Sequence, residues 1–449
     1  MSRVQWCTGS VLVAVVWAGV AAGRWASPVY LPADQLIKNA AAYVQEHPAD
    51  ASAYYVLARI HYLAFVNKAF LVAVFGNYTP PHPIPYWWWG DYLWRMRRAE
   101  AERLALEEYG RQSTGDVPAA DQTAFWARVS AIETRLESEN WRPEQPGVDE
   151  LVQHAGAAQW NFCRAIATDP NNALYYLGLA SLEEQYLEFF GNSSTAPMPA
   201  SLKTIAVAAV KDIYLLSYNL SIQEDLQLQH LPLEGIRGII SYEAGSAYIR
   251  LWEAEESIPA EVQARIDEMK ANLAKMAALP IGAITPIVFS MQDSLSLAEL
   301  LASERIVRFD LDGDGIVERR PWVKPTTGLL VWDADGDGKI ASGRELFGSV
   351  TWWLFFMNGY RAMDLLDDNR DGLLTAGELK GIAVWFDKNC DGRTDRGEVV
   401  SLDSLGIEAI GTRPTGRDGV CPMHSSGIRL KDGRTLPSYD WIAPAVRDK

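Results

Sequence analysis

Two patterns of apolar spacing divide the chain. From about Pro32 to Leu279, apolar residues recur every three or four positions, in segments such as "DYLWRMRRAEAERLALEEY", "DQTAFWARVSAIETRLES" and "PAEVQARIDEMKANLAKMAA". That period matches the turn of an amphipathic helix. Ala, Leu, Glu, Gln and Arg dominate there, and Asp91 and Asp121 stand where N-caps belong. "YTPPHPIPYWWWG" and "GNSSTAPMPAS" interrupt the pattern with the Pro, Gly and Ser of loops. After about Pro280 helical runs shorten, and Gly, Asp, Thr and Val rise. The pieces "RIVRF", "GLLVW" and "IAVWF" predict short strands, and "SGIRLKDGRTLPSYDW" predicts a hairpin turning at Asp432-Gly433. The expected architecture is an α-helical domain over residues 32–279 and a mixed α+β module with short strands over 281–449.

Two patches of the helical part repeat each other. "HPADASAYYVLA" and "DPNNALYYLGLA" align Pro48, Tyr54, Leu57 and Ala58 with Pro170, Tyr176, Leu179 and Ala180. Before the second patch, Ala158, Phe162 and Ala165 share one helical face. Small residues at helix contacts, aromatics filling the groove and a Pro closing the pair resemble the tetratricopeptide repeat. That resemblance implies helix pairs forming a protein-interaction scaffold. The first patch lacks the upstream aromatic, and the copies lie farther apart than one repeat unit. An ordinary helical bundle with two similar hairpins therefore stands beside it.

Charge and composition narrow the function. Of 449 residues 48% are hydrophobic and 17 are Trp, so the chain can build real cores. A formal net charge of -16 repels nucleic acid and anionic membranes. Arg3, the apolar run Val11–Ala22 and the small residues Ala21 and Gly23 read as an export signal over 1–23. The expected location is secreted or periplasmic, with an uncleaved N-terminal anchor as the alternative. No other segment reads as long and apolar enough to cross a bilayer. Cys7 would leave with the signal; Cys163, Cys390 and Cys421 remain, with a Cys390–Cys421 disulfide as one open arrangement.

The strongest chemistry is a motif seen four times. "DLDGDGIVERRP" starts at Asp310, "DADGDGKIASGRE" at Asp333, "DDNRDGLLTAGE" at Asp367 and "DKNCDGRTDRGE" at Asp387. Each sets carboxylate or amide oxygens at positions 1, 3 and 5, then Gly at 6, as an EF-hand calcium loop does. Calcium takes six to eight oxygens, and alternate side chains on a tight loop converge on one point. Gly at position 6 permits the bend. The ion would cancel the repulsion among the clustered acids.

The third loop (Asp367, Asn369, Asp371, Glu378) and the fourth (Asp387, Asn389, Asp391, Glu398) carry Glu at position 12. The second (Asp333, Asp335, Asp337) has Glu345 one place late. The first (Asp310, Asp312, Asp314) has Pro321 at position 12, with Glu318 at position 9 as a substitute. It is expected to be the weakest loop or a hairpin turn only. Asp395, at position 9 of the fourth loop, is placed to act through water. Only 20 positions separate Asp367 from Asp387, too few for long flanking helices, so "VWD" and "VWFD" are expected to anchor the loops by burying Trp332 and Trp385.

The paired FDLDGDG and WDxDGDG loops, the "ELFG" ending, the "WxDxNxDG" loop and the following "LGI" resemble the EF-hand-like calcium-binding module of bacterial secreted proteins. Some of those are associated with repeats-in-toxin (hemolysin-type) exoproteins. The resemblance covers about Ile281 to Ile410 and implies bound Ca2+ and extracytoplasmic life. Dockerins also pair two calcium loops, but their longer helices are absent.

Other motifs are bland. "PYWWWGDYLW" (Pro85 to Trp94) reads as a packed helix start before a flat-ligand platform. HExxH, GxSxG and the Walker lysine motif are missing. Two functions are expected in order: an exported calcium-binding protein with structural calcium and a helical scaffold for a protein partner, or an envelope enzyme with its site in the helical part and the calcium module as accessory.

Overall fold

The helical periodicity becomes a series of long helices in a computed structural model that describes residues 31–75, 97–98, 100–111, 117–118, 120–141, 147–191, 198–227, 239–277, 284–292, 295–313, 317–334 and 336–443. The export-signal reading, Asp91 and the "PYWWWGDYLW" reading lie outside those residues. Helices α1 (Ala33–Glu46) and α2 (Ala51–Phe75) meet at a turn holding Pro48. Asp50 caps α2 by accepting from the N–H groups of Ser52 and Ala53 at 3.0 and 3.2 Å. Helices α3 (Gln122–Ser138), α4 (Val148–Thr168), α5 (Ala173–Gly191), α6 (Ala200–Gln227), α7 (Ile239–Glu253) and α8 (Ala260–Ala277) follow. Asp121 does precede α3, but its side chain makes no capping hydrogen bond.

The repeated patches open α2 and α5, and Pro48 and Pro170 each stand just past a helix end. Ala158, Phe162 and Ala165 are all fully buried on one face of α4. Phe162 occupies the space left by Gly178 of α5, where a Cβ would lie 2.4 Å from its ring. Tyr55 of α2 packs on Phe162 and Tyr175, with centroids 5.8 and 5.3 Å apart. A second helical core gathers Tyr214 and Tyr218 of α6, Tyr248 of α7 and Ile266 of α8. By length and composition Ala200–Leu226 is apolar enough to cross a bilayer, contrary to the expectation for the chain after its N-terminal segment. Its buried Val210, Tyr214, Tyr218 and Ile222 belong to that helical core.

The C-terminal part is an antiparallel β structure with short helices. Its strands are β1 (Ile287–Ser290), β2 (Leu301–Phe309), β3 (Glu318–Val323), β4 (Thr327–Trp332), β5 (Leu373–Thr375), β6 (Ile382–Trp385), β7 (Val399–Ser401), β8 (Ile407–Gly411), β9 (Gly416–Asp418), β10 (Cys421–Leu430) and β11 (Thr435–Asp440). Nine of them form one sheet in the order β5-β8-β10-β11-β1-β4-β6-β7, with β9 on β10, while β2 and β3 form a separate ribbon. The predicted hairpin is β10–β11, turning at Gly433 with φ 87°. Helices α9 (Leu297–Leu300) and α10 (Gly359–Asp364) are short.

The central strands β4 and β6 are buried on both faces, and their side chains alternate between two cores. Leu329, Val331, Ala383 and Trp385 join one core with Trp322 and Phe309. Leu330, Trp332, Ile382 and Val384 join the other, which continues without a break into Leu36 and Ala40 of α1 and Phe65 of α2. The helical part and the β module therefore share a core. Trp332 and Trp385 are buried as the loop-anchor reading requires. Cys390 and Cys421 are both buried thiols, so the Cys390–Cys421 disulfide is not formed.

Candidate metal-binding loops

Each Asp–Gly loop begins where an element ends. The first joins β2 to β3, the second follows β4, the third follows α10 and leads into β5, and the fourth follows β6. The backbone plan is common to them. Position 4 is left-handed in all four, at Gly313 (φ 74°), Gly336 (φ 64°), Arg370 (φ 61°) and Cys390 (φ 55°). Position 6 is left-handed at Gly338 (φ 67°), Gly372 (φ 86°) and Gly392 (φ 73°), as its glycine predicts. The strained Arg370 and Cys390 gave no signal in the sequence, because position 4 is glycine only in the first two loops.

Hydrogen bonds then repeat loop by loop. The position-1 aspartate accepts from the Gly N–H at position 6: Asp333 from Gly338 at 3.4 Å, Asp367 from Gly372 at 2.8 Å and Asp387 from Gly392 at 2.8 Å. The position-5 aspartate accepts from the N–H two residues on: Asp337 from Lys339, Asp371 from Leu373 and Asp391 from Arg393, at 2.8, 2.9 and 2.8 Å. The closing glutamate accepts from the position-9 N–H: Glu345 from Ala341 at 2.7 Å, Glu378 from Thr375 at 2.9 Å and Glu398 from Asp395 at 3.0 Å. Glu345, though one place late in sequence, thus makes the same bond as the two at position 12. Asn369 and Asn389 each accept from the N–H of the position-5 residue, at 2.8 and 3.1 Å.

The first loop closes differently. Asp314 and the second loop's Asp335 lie outside the described residues. The N–H of position 2 donates to the closing glutamate in the third and fourth loops, Asp368 to Glu378 and Lys388 to Glu398, both at 2.8 Å. In the first loop the N–H of Leu311, also at position 2, donates to Glu318 at 3.2 Å. Glu318 therefore takes the part that Pro321 cannot. The β2–β3 register, which pairs Phe309 with Glu318, delivers it there. Carboxylate oxygens of Asp310, Asp312 and Glu318 all lie within 4.8 Å of one another. The loop is both a hairpin connection and a cluster of three acids.

Burial makes these acids costly to ionise. It pushes the carboxyls of Glu318, Asp367 and Asp387 above the usual carboxylate range. Trp322 Nε1 donates to Asp387 Oδ2 at 2.7 Å, and Trp385 Nε1 to Glu398 Oε2 at 3.4 Å. Glu318 Oε1 and Asp367 Oδ1 are buried and meet no donor among the described residues. Asp395 accepts from Asn389 Nδ2 at 2.9 Å and shares the rim of the fourth loop.

The loops also hold one another. Gly343 N, in the second loop, donates to Asp310 O at 2.8 Å, and Ile340 N donates to Thr394 Oγ1 of the fourth loop at 3.3 Å. Both Ile340 and Thr394 are at position 8 of their loops. The first, second and fourth loops thus form one group, while the third lies against α1.

The class that fold and loops define is a mixed α+β module of Asp–Gly loops joined to a helical region. The family model described as "SPM domain" matches residues 294–441, which contain all four loops. The iron-regulated protein FrpA of Neisseria meningitidis serogroup C is 37% identical over 107 residues, which make up 23% of this chain and 10% of that relative. The chain thus matches about a tenth of that relative's length.

Proposed function

We propose that this chain is an exported calcium-binding protein in which the ion is structural. The observation that carries the reading is the shared hydrogen-bond plan of the second, third and fourth loops, which orients oxygen donors alone around each turn. An all-oxygen set suits a hard cation and lacks the imidazole and thiolate ligands that zinc and copper favour. The buried, donorless Oδ1 of Asp367 and Oε1 of Glu318 are what a loop leaves for a cation. The ligands would be Asp333, Asp335, Asp337 and Glu345; Asp367, Asn369, Asp371 and Glu378; Asp387, Asn389, Asp391 and Glu398; and, in the first loop, Asp310, Asp312 and Asp314 with Glu318. Bound calcium would offset the cost of ionising the buried acids, so its binding free energy becomes folding free energy.

The helical region is read as a scaffold for a protein partner. Its support is the pairing of α1 with α2 and of α4 with α5 at equivalent prolines, in the manner of tetratricopeptide hairpins. The export reading rests on the signal-like pattern of residues 1–23.

The test is calorimetric titration of the whole chain with calcium, with magnesium as control and thermal unfolding in parallel. Three or four calcium-selective sites are expected, with dissociation constants on the order of 10⁻⁴ to 10⁻³ M as in extracellular modules, together with a raised unfolding temperature. Absence of binding at millimolar calcium would sink the reading.

A further inference from the structure

The third loop stands apart from the other three because a helix grips it. Gln35 Nε2 donates to Asp368 Oδ2 at 3.2 Å and to Leu366 O at 3.3 Å. Lys38 Nζ lies 3.3 Å from Asp368 Oδ1. Asn39 Nδ2, buried, donates to Leu365 O at 2.9 Å and to Asp368 Oδ1 at 3.0 Å. One turn past Tyr43, Glu46 forms an ion pair with Arg370. Four polar residues of one helix therefore converge on positions 2 and 4 of a single loop and on the two carbonyls just before it.

Asp368 joins the two systems. Its carboxylate is held by α1, and its backbone N–H donates to Glu378, the closing acid of the loop. A helix that fixes Asp368 also fixes the group that orients Glu378. Arg370, the other gripped residue, occupies the left-handed turn at position 4. Apolar contact backs these bonds, since Leu36 and Ala40 share a core with Leu365 and Leu366.

Helix α2 completes the hold. Its fully buried Arg59 donates from Nη2 to Trp353 O at 2.9 Å, with the rings of Tyr62 and Phe355 at 4.9 and 5.3 Å. Trp352, Trp353 and Phe355 all have left-handed backbones, with φ of 52°, 63° and 62°. Bulky residues adopt that conformation only where surroundings impose it. The segment between the second and third loops is thus kept in a costly shape while the α1–α2 hairpin is seated.

We propose that calcium in the third loop locks the α1–α2 hairpin onto the β module, so that the ion controls how firmly the helical region is held; the proposal rests on the calcium reading above. The element that reads the ion is a helix more than 300 residues upstream, not a helix flanking the loop. Coupling between two such sites is reciprocal: seating α1 tightens calcium binding by the factor that calcium stabilises the seating.

Hydrogen exchange on the whole chain tests it, with and without saturating calcium, reading the loops, α1 and, as a control, α8. Calcium should slow exchange in α1 by about fivefold or more, a factor typical of coupled sites, and leave α8 unchanged. Asp371→Ala, which removes the position-5 oxygen of the third loop, should abolish that slowing, while Asp337→Ala, in the second, should keep it. The pair Gln35→Ala with Lys38→Ala spares the buried Asn39 and should weaken calcium at one site about fivefold. Protection of the third loop without any change in α1 would overturn the lock and leave the calcium reading standing. Equal loss of α1 protection in Asp371→Ala and Asp337→Ala would also overturn it, because the third loop would not be the one read. Absence of protection in every loop would remove the calcium reading and the lock together.

Discussion

Trp322 donates its indole N–H to the buried carboxylate of Asp387 over 2.7 Å. The two residues are 65 positions apart, one just beyond the first loop and the other opening the fourth. Trp322 also packs at an angle against Phe309 and edge-to-face against Trp385, at centroid distances of 5.6 and 5.7 Å, so the bond ties a loop ligand to the centre of a core. Trp322→Phe keeps most of the ring packing and removes the donor. In chelator, unfolding by urea should show a loss of about 1–3 kcal/mol, the cost of a buried acceptor left short of a partner. An unchanged midpoint would mean that the indole bond contributes nothing to the fold.

Glu318 tests whether the first loop is a site or a turn. The carboxylate replaces the missing position-12 acid by accepting from Leu311 N–H. Glu318→Gln preserves size and an acceptor but removes a charge that a divalent ion would need. Calorimetry should show one fewer calcium per chain, with the other sites unchanged. Identical stoichiometry for the two proteins would make the first loop a hairpin connection and nothing more.

Gly343 sits where the first and second loops touch. A Cβ there would stand 1.7 Å from Leu311 O, a backbone atom that cannot swing aside. Gly343→Ala should therefore cost more than about 3 kcal/mol, among the larger effects of a single substitution. Gly377→Ala is the control, since a methyl group there would meet nothing within 4 Å. It should stay within about 0.5 kcal/mol of the parent in the same denaturation experiment.

These residues show which parts of the fold were legible in the sequence. Val331-Trp332 and Ile382–Trp385 announced buried strands because a short unbroken apolar run is a local property. The loops were legible for the same reason: their hydrogen bonds run between positions 1 and 6, or 9 and 12, of one short segment. The role of Glu318 needed the register of β2 on β3, which sets it opposite Phe309 and which no residue type announces. The grip of Asn39 on Asp368 joins residues 329 positions apart. Neither residue is unusual where it stands, so no local pattern could pair them. The left-handed Trp352, Trp353 and Phe355 ran against propensity, because the seated helices and Arg59 override it there.

One pair of histidines belongs to none of the loops and carries its own prediction. His61 of α2 and His154 of α4 face each other with Nδ1 atoms 3.0 Å apart, in the packing between those helices. One ring must donate and the other accept, so at least one is neutral. Burial, and secondarily the neighbouring His154, pushes His61 down to about 4. The unfolded chain binds a proton at this ring near pH 6.5, whereas the folded chain resists it until near pH 4. The contribution is therefore fully present above the unfolded value and is lost as pH falls toward the folded one. Between pH 6.5 and 4.5 the parent should lose ~2 kcal/mol more than His61→Leu, less than a fully buried ring would give because this one is partly exposed to solvent. Carboxylates titrate in the same range, but they do so in both proteins, so the difference between the two curves isolates the histidine. Parallel curves in urea unfolding across that range would show that the pair accepts a proton in the fold without penalty, and that α2 and α4 are held by Tyr55 and Phe162 irrespective of pH.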